Sequence, residues 1–325
     1  MTSTRDTKST TDRDLSFLAP PGELLDWRMV LLAAAAGDTG ILQSLPALPG
    51  NLAAELGLDE AAVVVVLEAL AQFGVVEAGG DGAFAPGPSA PDAEAGASLH
   101  HHARSIGQWA RALDDRLRGA PVVPGGPPSE PERWIDALAV HARRAAPSSV
   151  DACLARLPHA KAVLDLGGGH GEYALEFARR GLSVTLQDRP VMIDIARRRG
   201  TLEKAGVELF AGDFFDTVAD GPFDIVFCSG VTNTFDAERN VDLYRRVRPI
   251  VAPGGCFVIQ TSMRDRQPGS VLFGVQMLVV GNGGDAHPET RYRQWLAAAG
   301  HGPPDVVDID GDRRSLLFAP AAAGT

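Results

Sequence analysis

Apolar and polar residues follow two different patterns along this chain. From Leu24 to Phe73 the apolar residues recur at helical spacing, and Val75–Glu77 and Ala83–Phe84 flank a Gly-Gly-Asp-Gly turn typical of a β-hairpin. After residue 158, short apolar runs alternate with amphipathic stretches, which predicts a mostly parallel sheet with crossover helices. The pattern therefore predicts a helical N-terminal domain followed by an α/β domain.

Three helices followed by a hairpin predict a winged-helix arrangement. The predicted helices are Leu24–Ala36, Asn51–Leu58 with Asn51 as its N-cap, and Glu60–Phe73 with Asp59 as its N-cap. The third helix carries four consecutive valines and no lysine or arginine. Because a DNA-reading helix needs basic residues, we predict that this domain mediates dimerisation.

Two stretches after the hairpin are rich in proline, glycine and alanine. Ala85–Gly96 is predicted to be a linker, and Val122–Pro131 a second loop. A helix containing Trp109 is predicted between them, and the helices Trp134–Arg144 and Ser148–Leu157 follow. These segments lead the chain into the α/β domain.

Three adjacent histidines, His100–His102, precede Trp109 and raise the question of a metal site. Consecutive residues of a helix point in different directions, so at most one or two of these rings could face a common site. They are either solvated or capping residues, or one of them lines a substrate pocket. The three cysteines are widely separated and lack a C-x-x-C spacing, so we predict no metal site.

Charge and cysteine content narrow the functional classes. The 325 residues carry a formal net charge of −11, which disfavours non-specific binding to nucleic acid or to an anionic membrane. Three cysteines do not suggest a disulfide framework. The polar segment Met1–Arg13 lacks the apolar core of a signal peptide, so we predict a cytoplasmic protein.

The α/β region divides into regular strand and helix segments. The predicted strands are Val163–Leu166, Ser183–Leu186, Val207–Phe210, Phe223–Phe227 and Cys256–Gln260, with a final pair at Asp305–Ile309 and Ser315–Ala319. The predicted helices are Glu172–Arg180, Val191–Arg199, Asp236–Val247 and Arg291–Ala299. Pro253–Gly255 is predicted to be a turn that precedes the fifth strand.

A glycine-rich loop joins the first of these strands to its helix. It contains Asp165, Gly167, Gly169 and Gly171 in the pattern D-x-G-x-G-x-G. The dinucleotide fingerprint G-x-G-x-x-G does not fit, because its last position falls on Glu172, and no phosphate-cradling G-x-x-x-x-G-K-[ST] is present. The loop therefore predicts a nucleotide-type ligand other than a dinucleotide.

Three carboxylates follow successive strands of the predicted sheet. Asp165, Asp188 and Asp213 stand at the carboxyl ends of the first three strands, which is where open α/β sheets bind ligands. Asp165 is suited to an amine, Asp188 to the two hydroxyls of a ribose, and Asp213 with Phe214 to an adenine. The residues predicted to bind the ligand are Asp165, Gly167, Gly169, Gly171, Asp188, Arg189, Gly212, Asp213, Phe214, Cys228 and Ser229.

The order of these motifs resembles a known family. Asp165–Gly169, Gln187–Pro190, Gly212–Phe215 and Pro253–Gly255 are similar to the motifs of the plant-type small-molecule O-methyltransferases, a branch of the class I S-adenosylmethionine-dependent methyltransferases whose bacterial members modify secondary metabolites. The resemblance implies a Rossmann-like sheet and S-adenosylmethionine as methyl donor, with S-adenosylhomocysteine as product. It also implies a homodimer and an acceptor pocket between the two domains.

Together, the pattern and the resemblance predict four divisions of the chain. They are a disordered leader over 1–14, a winged-helix dimerisation domain over 15–90, a helical segment lining the acceptor pocket over 91–157, and a cofactor-binding catalytic domain over 158–325.

The chain departs from the resemblance at the expected catalytic base. The family carries His-Asp-Trp after the fourth strand, whereas Asn233 takes the histidine position here and Phe235 the tryptophan position. An amide can orient an acceptor but cannot take up a proton at neutral pH. Further catalytic candidates are His101, His287 and Glu289, and the predicted pocket residues are Trp109, Phe235, Phe273 and Met277.

Four explanations for Asn233 remain open at this point. The acceptor is acidic enough to ionise unaided, or another imidazole among His101, His102, His287 and His301 serves as base. Alternatively, the acceptor atom is carbon or nitrogen, or the protein binds the cofactor for a decarboxylation, hydroxylation or pericyclic reaction. O-methylation of a small metabolite is the leading prediction.

Overall fold

The computed structural model describes residues 25–121, 131–267, 270–280, 283–309 and 314–321. The chain divides into two compact units between Ala90 and Pro91. The predicted leader, most of the loop Val122–Pro131 and the turn between the last two strands lie outside the described residues.

The first unit contains three helices and a hairpin in the predicted order. Its elements are α1 (Leu25–Asp38), α2 (Pro49–Leu56), α3 (Glu60–Gln72), β1 (Val76–Ala78) and β2 (Phe84–Pro86), with the two strands antiparallel. Asp59 caps α3 as predicted, because its Oδ1 accepts a hydrogen bond from the Ala62 N–H at 2.8 Å. Leu52, Leu67 and Leu70 form part of its core.

The predicted start of α2 was wrong. The helix begins at Pro49, and Asn51 lies inside its first turn instead of capping it. Proline is favoured at the first helical position because its ring fixes a helical φ and the missing N–H has no partner there in any case.

Two long helices open the second unit, and both correct the sequence prediction. They are α4 (Ala93–Leu117), capped by Asp92, and α5 (Pro131–Arg156). Half of the predicted linker Ala85–Gly96 lies in regular elements, since β2 extends to Pro86 and α4 begins at Ala93. The predicted break near Pro147 does not occur, because the buried residues on either side of this proline keep the helix packed as one element.

The second unit is built on a mixed sheet. Its strands are β3 (Ala162–Leu166), β4 (Ser183–Asp188), β5 (Glu208–Ala211), β6 (Phe223–Ser229), β7 (Val251–Thr261), β8 (Asp305–Asp308) and β9 (Ser315–Pro320). Among the described residues they follow the order β5-β4-β3-β6-β7-β9-β8, with β9 antiparallel to both of its neighbours. The predicted α/β class is confirmed.

Helices cover the sheet and connect its strands. They are α6 (Glu172–Arg179), α7 (Pro190–Arg199), the short α8 (Thr201–Lys204), α9 (Ala237–Val247), α10 (Ser270–Val280) and α11 (Glu289–Ala298). Two clusters of buried apolar side chains contain the sheet residues Val163, Leu186 and Phe227 in one and Leu164, Val226 and Phe257 in the other. These residues alternate along the strands, so each face of the sheet is packed.

The predicted turn Pro253–Gly255 lies inside β7. The register between β6 and β7 shifts there, from the pair Phe223–Val251 to the pair Ile225–Cys256. Gly254 has a φ of +81°, a left-handed conformation that favours glycine. A bulge of this kind accommodates a proline inside a strand, because the extra residues leave the ladder.

Over the parts of the chain that the structure describes, no helix is both long and apolar enough to cross a lipid bilayer.

Candidate functional site

The glycine-rich loop runs from β3 into α6 at the carboxyl edge of the sheet. Gly167 has a φ of +73°, and a Cβ at this position would lie 2.6 Å from Cγ2 of Val231. A Cβ on Gly168 would lie 2.6 Å from Oδ2 of Asp165 and 2.8 Å from Cγ of Leu186. The loop therefore follows a backbone path that only glycine fits, with bare main chain facing the strand ends.

Asp165 is buried at the end of β3, with 1% of its surface exposed. Burial and, to a smaller extent, the nearby Asp188 raise the pKa of its carboxyl group to about 7, against the opposing effect of the Ala174 backbone N–H. Its Oδ2 finds no hydrogen-bond partner among the described residues. A buried carboxylate with an unsatisfied oxygen is costly, so this atom is suited to a cationic or N–H-bearing ligand.

Asp188 ends β4 and connects the loop to the neighbouring strand. Its Oδ2 accepts a hydrogen bond from the Gly169 N–H at 2.9 Å, and its Oδ1 accepts one from the Arg189 N–H at 2.7 Å. Burial raises the pKa of Asp188, while these two donors lower it. The side chain of Arg189 is exposed, so its contribution to this contact comes from the backbone.

A short segment after β5 places Asp213 and Phe214 beside this centre. The Gly212 N–H donates to the Asp188 carbonyl at 2.9 Å, and Asp213 Oδ1 accepts from the Phe215 N–H at 2.9 Å. Phe214 lies with its ring 5.0 Å from that of Phe215, centroid to centroid. Asp213 is half-buried and caps its own turn.

Gln187 is a positioning residue whose role the sequence did not reveal. It is fully buried, its Nε2 donates to the carbonyls of Thr217 at 2.8 Å and Gly212 at 3.3 Å, and its Oε1 accepts from the Ala219 N–H at 3.0 Å. These bonds fix the segment that carries Asp213. A polar residue at the end of an apolar strand was the available signal.

His170 was also missed, although it interrupts the glycine run. Its Nδ1 accepts a hydrogen bond from the Glu172 N–H at 3.1 Å. Burial and the neighbouring Arg314 and Arg143 lower its pKa to about 4, so its ring is neutral at pH 7. The side chain completes the backbone hydrogen bonding at the start of α6.

Cys228 and Ser229 form the last two residues of β6, next to the loop. Burial raises the pKa of the Cys228 thiol, and the negative charges of Asp165 and Asp188 raise it further, so the thiol is neutral. Ser229 Oγ donates to Oε1 of Gln260 at 3.2 Å and accepts from the Arg314 guanidinium at 3.2 Å.

Asn233 lies in a 3₁₀ turn, Thr232–Thr234, that follows β6. Only 2% of its surface is exposed, and its Nδ2 lies 3.6 Å from the sulfur of Met277. Its Oδ1 has no hydrogen-bond partner within the described parts of the chain. Buried amide oxygens normally accept a hydrogen bond, and this one does not. It lies at the position where the sequence predicts that the acceptor binds.

His287 contacts the backbone of Phe235, which directly follows this 3₁₀ turn. Its Nε2 lies 3.1 Å from the carbonyl oxygen of Phe235, so this nitrogen carries the proton and donates it. The ring lies 4.7 Å from the Trp295 ring, and burial lowers the pKa of the imidazole. His287 therefore supports the backbone at Phe235, and its Nδ1 lies 4.0 Å from Asp285.

Glu289 is placed differently from the other catalytic candidates. Its two oxygens form ion pairs with Arg266 and Arg293, both at 2.6 Å. Burial opposes ionisation, but the two arginines prevail and lower the pKa of Glu289. These contacts are those of a residue that stabilises the start of α11.

The remaining predicted residues lie on α4 and α10, which pack against each other. Trp109 donates from its indole nitrogen to Oε1 of Gln276, and Arg116 Nε donates to the carbonyl of Leu278 at 2.9 Å. Phe273 is half-buried on α10, the helix that brings Met277 to Asn233. His101 lies nearer the start of α4, with its ring 5.9 Å from that of His102.

The structure thus joins most of the predicted residues into two groups. Hydrogen bonds connect the loop and the ends of β3, β4 and β5 into one candidate ligand-binding edge, whereas Asn233, Phe235, Met277 and His287 form a second cluster. In the described residues, no cluster of three or more histidine, cysteine or acidic side chains is arranged to hold a metal ion. The orphaned Asp165 oxygen and the close-fitting loop agree with a ligand that carries both an amine and a ribose.

Comparison with known proteins gives a domain and two curated relatives. The methyltransferase domain family matches residues 163–255. The 3-amino-4-hydroxybenzoate 4-O-methyltransferase of Streptomyces cremeus is 32% identical over 43% of this chain and 40% of its own length. The mitomycin biosynthesis 6-O-methyltransferase of Streptomyces lavendulae is 29% identical over 46% of this chain and 47% of its own length. The chain spans about half the length of these relatives.

A solved structure resembles nearly the whole chain. Human N-acetylserotonin methyltransferase, determined in complex with S-adenosylmethionine, has a TM-score of 0.72 and covers 96% of this chain and 99% of its own. The two sequences are 19% identical, so this likeness concerns the fold.

Proposed function

We propose that this chain is a class I S-adenosylmethionine-dependent methyltransferase that transfers a methyl group to an oxygen of a small secondary metabolite. The observation that carries the proposal is the set of three strand-end acids around a glycine loop, with Asp165 and Asp188 both buried. The activities named for the two curated relatives support an oxygen as the methyl acceptor.

The residues at the carboxyl edge of the sheet would hold the cofactor. We assign the ribose hydroxyls to Asp188, the amino group to Asp165, and the adenine to Asp213 and Phe214. When bound, S-adenosylmethionine supplies an electrophilic methyl group on a positively charged sulfur. The buried carboxylate of Asp165 is suited to the amine because an ion pair would compensate the cost of its charge.

Asn233 would orient the acceptor rather than deprotonate it. Its Nδ2–H, which otherwise lies against the weakly accepting sulfur of Met277, can donate to an ionised acceptor oxygen, and its unsatisfied Oδ1 can accept from a neighbouring N–H or O–H of the acceptor molecule. Of the explanations for the missing base, we therefore favour an acceptor hydroxyl acidic enough to ionise in water before it binds. Positioning and exclusion of water then supply most of the catalysis.

His287 is proposed as a positioning residue for this cluster. Its Nε2–H donates to the carbonyl of Phe235, two residues from Asn233 in the chain, so it stabilises the turn that carries the amide. His287→Gln keeps a donor of similar reach, and we expect it to retain most of the wild-type kcat/KM. His287→Ala removes the donor, and we expect a higher KM and an unchanged pH profile.

A homodimer through the first unit remains part of the proposal. This unit exposes large apolar side chains, including Val65 at 64% exposure and Trp27, Leu48 and Phe73. Such side chains in a unit this small favour an interface with another chain. A cytoplasmic location likewise stays a prediction.

Calorimetry followed by product mass tests the proposed function. We expect purified protein to bind S-adenosylhomocysteine, and a panel of acidic phenols and enols to gain one methyl group when incubated with protein and S-adenosylmethionine. Fragmentation of the product then places the methyl group on oxygen. Cofactor binding with turnover but no gain of a methyl group would contradict the proposal.

A further inference from the structure

Asn240 is a buried amide in the first turn of α9, and its donor end faces the segment 232–236. None of its surface is exposed. Its Nδ2 donates to the carbonyl oxygens of Thr232 at 2.9 Å, Phe235 at 3.1 Å and Asp236 at 2.9 Å. Because carbonyl oxygens only accept hydrogen bonds, the nitrogen of the amide must be the atom that faces them. One side chain therefore connects α9 to three backbone groups of this segment.

Asparagine is an unfavourable choice for α9 itself. It is a weaker helix former than alanine or leucine, because its side chain competes for backbone hydrogen bonds. Its Oδ1 has no hydrogen-bond partner among the described residues, and an unsatisfied buried oxygen costs free energy. An apolar residue of similar size would avoid both costs. The contacts of Nδ2, rather than the stability of α9, therefore account for an amide at this position.

The three carbonyl oxygens do not depend on Asn240 Nδ2 alone. The oxygen of Thr232 also accepts from the Phe235 N–H at 3.4 Å, and that of Asp236 accepts from the Asn240 N–H at 3.1 Å. The oxygen of Phe235 also contacts His287 Nε2 at 3.1 Å. Removal of the side-chain amide thus leaves each oxygen with another donor, so we expect it to loosen the segment without unfolding the chain.

Asn233 belongs to the segment that Asn240 holds. Its own carbonyl oxygen accepts a hydrogen bond from the Asp285 N–H at 2.9 Å, and a Cβ on Gly284 would overlap that oxygen. The backbone around Asn233 is therefore held both by α9 and by the segment 283–287. The direction of the Asn233 side chain depends on these contacts, because it is set by the backbone that carries it.

We propose that Asn240 is a positioning residue that orients the amide of Asn233 towards the methyl acceptor. This inference rests on the proposed function, in which Asn233 binds the acceptor. Asn240 acts through the backbone of the segment 232–236 and not through contact with the acceptor. Since the reaction depends mainly on alignment, a displacement of the acceptor by about 1 Å can cost about 100-fold in rate.

Asn240→Leu tests the proposal, because it removes the donor and keeps a side chain of similar size. We expect hydrogen exchange read by mass spectrometry to be at least about tenfold faster in the segment 232–236 than in wild type. Calorimetry should give an affinity for S-adenosylhomocysteine within about threefold of wild type. For the acidic phenol that the wild-type protein methylates fastest, kcat/KM should fall about 10- to 100-fold.

Gln187→Leu is the matched control. Gln187 is also a buried amide, and it fixes the segment that carries Asp213 on the cofactor side. We expect Gln187→Leu to weaken binding of S-adenosylhomocysteine about tenfold and to leave hydrogen exchange in the segment 232–236 as in wild type. Thermal unfolding reports whether each variant is folded, and Asn240→Ala replaces the leucine variant if that variant does not fold.

A double variant shows whether Asn240 acts through Asn233. In the Asn233→Ala background, Asn240→Leu should lower kcat/KM by no more than about a further twofold, because the amide that Asn240 positions is absent. A merely structural role would instead lower kcat/KM by the same factor in both backgrounds.

Three results would overturn the assignment. They are wild-type hydrogen exchange in Asn240→Leu, a loss of S-adenosylhomocysteine affinity as large as the loss of kcat/KM, and equal losses of kcat/KM with and without Asn233. If the wild-type protein methylates no phenol or enol of the panel, the proposed function fails, and the role of Asn240 towards an acceptor fails with it. Hydrogen exchange then still reports whether Asn240 holds the segment, so the two failures are distinguishable.

Discussion

The two sides of the proposed site, one assigned to the cofactor and one to the acceptor, are built in different ways. The cofactor side, comprising the loop 167–171 and the ends of β3, β4 and β5, is buried and held by backbone hydrogen bonds, as at Asp188. The acceptor side, comprising α4, α10, and the segments 230–236 and 283–289, depends on side-chain contacts. No residue of α4 is fully buried along the 25 residues from Ala93 to Leu117.

The proposed function gives a reason for this difference. A site for one fixed cofactor needs carboxylates and N–H groups held at defined positions, and a glycine loop with strand ends provides them. A site for one metabolite among many needs shape, and half-buried side chains on two helices can change without disturbing the sheet. We therefore expect substitutions on the cofactor side to be more damaging than substitutions on the acceptor side, and this expectation is testable.

Loss of Asp188 should produce the largest effect on the cofactor side. Asp188→Ala removes the acceptor for two backbone N–H groups and the proposed ribose contact, so we expect S-adenosylhomocysteine affinity to fall about 100-fold or more in calorimetry. Asp194→Ala, a matched change of an exposed acid on α7, should bind like wild type. Equal affinity of Asp188→Ala and wild type would remove the main support for this side of the comparison.

The charge on Asp165 should favour cofactor binding and lower the stability of the cofactor-free protein. A carboxyl group whose pKa is raised by folding, here to about 7, costs stability as the pH rises from about 4 towards 7. We therefore expect Asp165→Asn to raise the melting temperature of the cofactor-free protein at pH 8 and to change it less at pH 5. Its affinity for S-adenosylhomocysteine should fall about 10- to 100-fold at pH 8, because the ion pair with the amine is lost.

The wild-type protein provides the control for this prediction. Its affinity should decline as the pH falls below 7, because protonation of Asp165 removes the same charge. An affinity for S-adenosylhomocysteine that is constant between pH 6 and 8 is the outcome that excludes the amine assignment.

Asn233→His tests the acceptor side. If the absence of a base limits the range of acceptors, the imidazole should raise kcat/KM on weakly acidic phenols about tenfold or more, within the usual range of general-base catalysis. The change should be small on acidic acceptors that ionise unaided. Asn233→Ala, which lacks both functions, should lower kcat/KM on both groups, and a steady-state comparison of the three proteins distinguishes these results.

The smallest predicted effect compares a glycine from each side. A Cβ on Gly168 would lie 2.6 Å from a buried carboxylate, whereas a Cβ on Gly274 of α10 would lie 2.7 Å from Oδ1 of Asp285, which is only half-buried. We expect Gly168→Ala to cost about 1–3 kcal/mol of unfolding free energy. Gly274→Ala should cost less, because the Asp285 side chain can move and alanine favours the helix by about 1 kcal/mol. Thermal unfolding that ranks them in the reverse order would contradict a rigid cofactor side.

The sequence predicted where the glycine loop and the strand-end acids lie in the fold. A glycine loop and an acid at a strand end are local features, so Asp165, Gly169 and Asp188 could be placed from short motifs. The α/β class followed from the same motifs and is confirmed, and the methyltransferase domain that they indicated matches residues 163–255. The helix cap at Asp59 is equally local, because a cap requires only the next three residues.

Prediction failed where packing outweighs local preference. Pro147 reads as a helix break, but buried neighbours along α5 keep the helix continuous. Pro253 predicts a turn, but it lies inside β7, where a bulge shifts the register of pairing with β6. In both cases tertiary contacts offset the free energy lost with the backbone hydrogen bond that proline cannot form. A local sequence pattern does not show which tertiary contacts will form.

By itself, then, the sequence predicted the cofactor, the sheet and the departure at Asn233, since each prediction depends on residues close together in the chain. Only the tertiary structure decided the partners of distant residues. It placed Arg314 on Ser229 and Tyr173, and it placed Met277 on Asn233, across 85, 141 and 44 positions of the chain. Such contacts form because strand order brings the carboxyl ends together, and strand order depends on how the whole sheet packs.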